Sequence, residues 1–177
     1  YHPDYECDDI LNYLATTLEG EVVIVSSDTD FIQTLDLSER VRLWNPVSQQ
    51  FREKMEVDYT KYKALVGDKT DNIPGVDGVG KVGAVKMLKD PSIMEKKMAS
   101  STFKEQFDHS YQLVKFADMS DVSSEFQYFR GEFDRDEVEL LFEKWGFQSM
   151  LSDSYFGRYS EVMEKIKTIK PSPTSLQ

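Results

Sequence analysis

The sequence has one cysteine and two histidines. Cys7 alone cannot close an internal disulfide, which suits a reducing cytoplasm. No Cys/His set stands at zinc spacing, so a zinc site is not expected. Apolar runs are short, and none approaches the roughly 18 residues that a membrane-spanning helix requires. The opening residues show no signal-peptide pattern. Internal repeats and low-complexity tracts are lacking as well. Positive charge is scarce: 21 Lys and Arg face 32 Asp and Glu, for a net charge of −11. That balance opposes non-specific nucleic-acid binding, which depends on basic contacts to phosphate. What remains is ordinary globular material. The chain has 177 residues with 40% hydrophobic and 12% aromatic side chains, enough for one domain with a real core.

Periodicity predicts a helix over 4–18, where Ile10, Leu14 and Leu18 form one apolar stripe. Glu6 stands at the head of that stripe. A carboxylate turned toward a core costs several kcal/mol, by order of magnitude, unless paired or metal-bound; a first-turn acid satisfied by the helix dipole is the simpler reading. Gly20 ends the helix, and Val22–Val25 is a continuous apolar run, as in a parallel strand buried on both faces. Helix, strand and helix in that order indicate an α/β fold. Asp28 and Asp30 follow the strand directly, where open α/β sheets place their ligands. A capping box of Ser27 with Asp30 would explain Asp30 but not Asp28. A second strand is expected at Val41–Trp44, stopped by Asn45-Pro46, and a helix at 58–66. The helix Lys81–Leu88, closed by Asp90-Pro91, should turn Ala84, Val85 and Leu88 inward and Lys81, Lys86 and Lys89 outward. Further helices are expected at 101–118, 134–145 and 155–168. Phe126–Phe129 reads as a strand or as packing, and 171–177 as a disordered tail.

The most informative stretch is Gly67–Ala84, GDKTDNIPGVDGVGKVGA. Asp68 and Asp71 sit beside a turn with glycines at 75, 78 and 80, and a Lys-bearing helix opens at Lys81. Carboxylates hold hard cations through oxygen. A Gly-rich turn that opens a helix lets backbone N–H groups reach a phosphate. The lysines also concentrate here, at Lys61, Lys63, Lys69, Lys81, Lys86 and Lys89, so local charge can oppose net charge. If Glu6, Asp8, Asp9, Asp28, Asp30, Asp68 and Asp71 converge, each pair about 4 Å apart repels by roughly 4 kcal/mol at an effective dielectric near 20. Such a cluster needs bound cations or protonated carboxylates, and hard Mg²⁺ or Mn²⁺ suits oxygen ligands.

GDKTDNIPGVDGVGKVGA resembles the helix–three-turn–helix signature of the flap endonuclease, or 5′-3′ exonuclease, family. Two further blocks occur in that family's order. Tyr5-Glu6-Cys7-Asp8-Asp9 is similar to its Y-E-A-D-D block, with Cys7 where Ala is usual. Val25–Phe31 is similar to its strand-end S-x-D-x-D block. Leu141–Leu151, LFEKWGFQSML, resembles the segment that commonly closes the nuclease domain.

The resemblance implies an α/β fold: the C-terminal part of a parallel-sheet, PIN-like nuclease core over 1–57, then a mostly helical region over 58–170. It implies two Mg²⁺ or Mn²⁺ held by Glu6, Asp8, Asp28, Asp30 and Asp71, with Asp9 and Asp68 as less regular ligands. Gly75, Gly78, Val79, Gly80, Lys81 and Lys86 would grip duplex backbone, with K⁺ on carbonyls of the turn. The expected activity is two-metal hydrolysis of a phosphodiester in 5′-flap, nicked or branched DNA, or in an RNA primer. The expected setting is replication or repair in the cytoplasm of a bacterial or phage-infected cell, with replication proteins as partners and no membrane. The chain starts at Tyr, close to the Glu6 block, and so reads as the C-terminal part of a longer enzyme whose N-terminal half completes the site. Two other readings stay open: a DNA-junction-binding module with a decayed metal site, and a PIN-type ribonuclease.

Overall fold

The computed structural model describes residues 2–121 and 132–168. The chain forms two compact units, Tyr1–Phe126 and Gln127–Gln177. The first unit opens with helix α1 (Cys7–Thr17), strand β1 (Val22–Val25), the short helix α2 (Ile32–Leu37) and strand β2 (Val41–Asn45). A third strand, β3 (Gln50–Arg52), was not expected from the sequence. The sheet order is β1-β2-β3. β1 pairs parallel with β2, Val22 opposite Val41, and β3 returns antiparallel, Leu43 opposite Arg52. The sheet is therefore mixed, and most of the described residues are helical.

β1 departs from the expectation of burial on both faces. Val22 and Ile24 turn toward the core, but Val23 and Val25 are 49% and 63% exposed. Among the described residues nothing covers that second face, and only β2 pairs with the strand. The covered face belongs to one apolar cluster: Ala15 of α1, Ile24, Phe31, Leu35, Val41 and Leu43. Arg40 closes the α1–β1 corner by donating to the carbonyls of Thr16, Leu18 and Gly20. These carbonyls have no partner inside α1, so the guanidinium serves as a C-terminal cap.

The rest of the first unit is helical: α3 (Tyr59–Val66), α4 (Lys81–Lys89), α5 (Pro91–Met98) and α6 (Ser101–Val114). Asp58 caps α3 by accepting from the Lys61 N–H at 2.8 Å. Asp90 and Pro91, read from the sequence as a stop, do close α4. They also start α5: Asp90 accepts from the Ser92 N–H at 3.0 Å, and proline suits a first helical turn. A second cluster joins Ala64 and Leu65 of α3, Val76, Ala84 of α4, and Phe103 and Phe107 of α6. Ala84 faces inward and Lys81, Lys86 and Lys89 outward, as the sequence predicts.

The second unit comprises α7 (Arg135–Lys144), a 3₁₀ turn over Gln148–Leu151 and α8 (Asp153–Thr168). Phe142 anchors it, with ring contacts to Phe147, Phe156 and Tyr159. The possible strand at 126–129 and the tail at 171–177 lie outside the described residues.

Candidate functional site

The loop Gly67–Gly75 is fixed by its own backbone. Asp68 and Ile73 exchange both of their hydrogen bonds, at 2.9 and 2.7 Å, which closes the loop as a small antiparallel bridge. Asp68 Oδ1 accepts from the Thr70 N–H at 2.8 Å. Both ends need glycine. Gly67 has φ +77, and a Cβ there would lie 2.6 Å from the Ile73 carbonyl oxygen; Gly75 has φ +73, and its Cβ would lie 2.6 Å from the Gly67 nitrogen. The two backbones therefore pass in direct contact, a packing only Gly permits. This geometry sets Asp68 and Asp71 side by side at the C-terminal end of α3.

Asp28 and Asp30 reach the same place from beyond the carboxyl end of β1. Ser26 Oγ accepts from the Asp28 N–H at 3.0 Å, and Asp28 Oδ1 from the Asp30 N–H at 2.8 Å. This chain of turns replaces the Ser27–Asp30 capping box. One oxygen each of Asp30, Asp68 and Asp71 lie within 4.8 Å of one another. An open cleft of about 350 Å³ lies here, lined by Ser26, Ser27, Asp28, Thr29, Lys63, Asp68, Thr70 and Asp71.

Lys63 sits among these acids. Its side chain is 6% exposed, and its Nζ pairs with Asp30 and lies 2.8 Å from Asp68 and 3.5 Å from Asp71. The sequence reading grouped Lys63 with the lysines around the DNA-facing turn; the structure instead turns it into the acid cluster. Tyr59 and Lys63 are four residues apart, so they share one face of α3, and the structure buries that face.

The charges shape one another. Burial pushes the Asp30 carboxyl up; the hydrogen bond and charge of Lys63 pull it back, while Asp28 and Asp71 push it further up. Asp68 is held below the ordinary carboxylate range, chiefly by its hydrogen bond from Lys63. The Lys63 ammonium is held well above its ordinary range: burial opposes this, but Asp30 and Asp68 outweigh it. Asp8 is raised first by burial, then by the charges of Asp28, Glu6, Asp30 and Asp9. The α1 acids thus feel the acids that follow β1.

Glu6 and Asp9 form a reciprocal capping box at the start of α1, with Asp9 accepting from the Glu6 N–H at 3.3 Å. Glu6 is exposed rather than turned to the core. The other Asp9 oxygen accepts from the Ala117 N–H at 2.8 Å. Asp9 therefore ties α1 to the segment after α6 and is engaged by backbone through both oxygens.

The glycine turn divides in two. Gly75 is buried, and its N–H donates to Ser110 Oγ of α6 at 3.1 Å, so it holds the turn and offers nothing outward. Asp77 is braced by Gln106, whose side-chain amide donates to it at 2.7 Å. Gly78, Gly80 and Lys81 are exposed and Val79 is half-buried. Gly78 has φ +75 with open space where a Cβ would stand. Gly80 is the N-cap of α4. The N–H groups of Gly80, Lys81 and Val82 have no partner among the described residues, as a first helical turn leaves them.

Comparison with known proteins gives these features a family. Residues 55–136 match the family described as 5′-3′ exonuclease, C-terminal SAM fold. The chain is 34% identical to a 5′-3′ exonuclease of Aquifex aeolicus over 64% of this chain and 46% of that protein. It is 31% identical to DNA polymerase I of Bacillus caldotenax over 84% of this chain and 20% of that protein. For DNA polymerase I of Thermus aquaticus the identity is 29%, over 97% and 22%. The chain thus spans less than half the length of these relatives. A mutant of T5 5′-exonuclease superposes with a TM-score of 0.46 at 21% identity, over 62% of this chain and 52% of that one. Residues 55–136 are the C-terminal SAM-fold domain of the 5′-3′ exonuclease family, and the chain is a homologue of these bacterial exonuclease and polymerase I proteins.

Proposed function

We propose that this chain is the C-terminal part of a structure-specific 5′ nuclease that hydrolyses DNA phosphodiesters with divalent cations. The observation that carries the reading is the convergence of Asp30, Asp68 and Asp71 within 4.8 Å. Those acids lie in the same unit as an exposed turn whose backbone N–H groups open α4.

The donor set fits a hard divalent ion, because it is all oxygen and strongly anionic, and a lysine ammonium already shares its lone pairs. Asp30, Asp68 and Asp71 would hold one Mg²⁺ or Mn²⁺, and Asp8 and Asp28, with Glu6, a second. When bound, such ions polarise the phosphate and bring a water within reach of deprotonation near neutral pH. The chain's own residues do the rest. The Asp68–Ile73 bridge keeps two ligands in register, and the Ser26–Asp28–Asp30 turns fix the strand-end pair. Asp9 holds α1 in place and so positions Asp8. Lys81, Lys86 and the N–H groups of Gly78 and Gly80 would grip duplex backbone, with K⁺ on carbonyls of the turn. Contacts of that kind read backbone and shape rather than base sequence. Residues 1–57 would then belong to the nuclease core and 58–170 to the clamp and its helical support, with a parallel sheet completed from upstream. The setting is the bacterial cytoplasm; among the described residues no helix is long and apolar enough to cross a membrane.

The test is cleavage by the longer protein that carries this chain, with 5′-flap DNA and single-stranded RNA as competing substrates. Divalent-dependent cutting of the flap is the expected result. Flap binding without cutting would mean a clamp with a decayed site, and preference for the RNA would mean a ribonuclease.

A further inference from the structure

Lys63 has no task in the hydrolysis just described, yet it is the most enclosed charge in the cleft. It leaves the last turn of α3 with a side chain 6% exposed. Its ammonium touches Asp30, Asp68 and Asp71. These are the three residues whose oxygens come together within 4.8 Å. An ammonium group donates to carboxylate lone pairs, and a hard divalent ion binds by taking up the same lone pairs. Both cannot hold one set of oxygens at full strength.

We infer that Lys63 is a resident counter-ion: it holds Asp30, Asp68 and Asp71 together while no metal is bound, and it leaves them when a divalent cation enters. The inference rests on the reading of this cleft as a metal site. Lys63 is then a positioning residue that acts through the three aspartates.

Two consequences follow from the charges. Without metal, the acids repel unless a cation stands between them, so Lys63 keeps the Asp30, Asp68 and Asp71 carboxylates facing one another. With metal, the ion must displace an ammonium already paired, so wild-type affinity is lower than the carboxylates alone would give. A lysine fixed permanently in place would share both charge effects but would stay equally shielded when the metal binds.

The experiment compares wild-type chain with Lys63→Met, which keeps the length of the side chain and removes its charge. Free Mn²⁺ is followed by electron paramagnetic resonance during titration, and thermal melts are recorded without metal. In parallel, wild-type amines are labelled with an acylating reagent, with and without Mn²⁺, and Lys63 is read by mass spectrometry. Lys63→Met should bind Mn²⁺ about tenfold or more tightly, since a positive charge a few ångströms from the ion is removed. It should also melt lower than wild type when no metal is present. Lys63 in the wild type should label slowly alone and much faster with Mn²⁺. Unchanged or weaker Mn²⁺ affinity in Lys63→Met, with Lys63 equally shielded in both conditions, overturns the inference and leaves the metal site standing. If neither protein binds Mn²⁺ at millimolar concentration, the metal site and the inference fall together. Should Lys63→Met fail to fold, labelling of the wild type decides: acceleration by Mn²⁺ supports the displacement, and none refutes it.

Discussion

Asp71 and Asp28 offer their carboxylates to the cleft from exposed positions, so substituting them should leave the fold intact. In the longer protein proposed to carry this chain, Asp71→Asn or Asp28→Asn should lower the proposed cleavage by about 10²-fold or more, because a small loss of register at the reacting phosphate is enough for that. DNA binding, followed by a gel-shift or anisotropy assay, should change little. Equal loss of binding and cleavage would instead make these residues structural. Individual roles were partly legible in the sequence. The acids could be found because Asp28, Asp30, Asp68 and Asp71 stand beside a strand end and a glycine turn. The hidden partners could not, because they come from far along the chain: Ala117 binds Asp9 across 108 residues, and Ser110 binds Gly75 across 35. No local pattern carries such pairings. Lys63 shows the same limit, since a lysine beside a basic cluster reads as solvent-facing until α3 is seen to bury the face it shares with Tyr59.

The loop and turn between α3 and α4 can be tested as an element. Gly75→Ala meets Gly67 and Val66 backbone atoms at 2.6 and 2.7 Å with φ +73. The left-handed conformation alone costs about 1–3 kcal/mol in a non-Gly residue, and the clash adds to it. Gly75→Ala should therefore lower the urea midpoint strongly. Gly78→Ala has open space around it and should pay only the conformational part. Similar midpoints for the two would mean that Gly67 and Gly75 do not pack as described. On α4, Lys81→Ala or Lys86→Ala should weaken binding to all DNA sequences alike and flatten the salt dependence by about one unit for each lost phosphate contact. A changed base preference with an unaltered salt slope would contradict a backbone clamp. Element types followed from apolar spacing wherever runs were long, as in α1, α3, α4 and α6. β3 escaped because Gln50–Arg52 is only three residues, too short to show alternation. α5 escaped because Pro91 signals both the end of one helix and the first turn of another.

At the scale of the whole molecule, two features set expectations. The exposed Val23 and Val25 leave one face of β1 uncovered among the described residues, an apolar edge of the kind that invites association. Alone, the 177-residue chain should therefore self-associate as it is concentrated, which light scattering would show; a monodisperse monomer at high concentration would contradict this. The acid cluster makes the second expectation: Mn²⁺ should raise the melting temperature, because a ligand that binds only the native state stabilises it by mass action. The central claim, that these carboxylates form the metal-dependent centre of a 5′ nuclease, is tested most directly by one measurement. The longer protein is incubated with 5′-flap DNA, with and without Mg²⁺, beside its Asp71→Asn variant. Cutting near the junction that requires Mg²⁺, leaves a 5′ phosphate and is lost in Asp71→Asn while the flap remains bound is the predicted result. Flap DNA that is bound but never cut in Mg²⁺ or Mn²⁺, or cut equally well by Asp71→Asn, would contradict it.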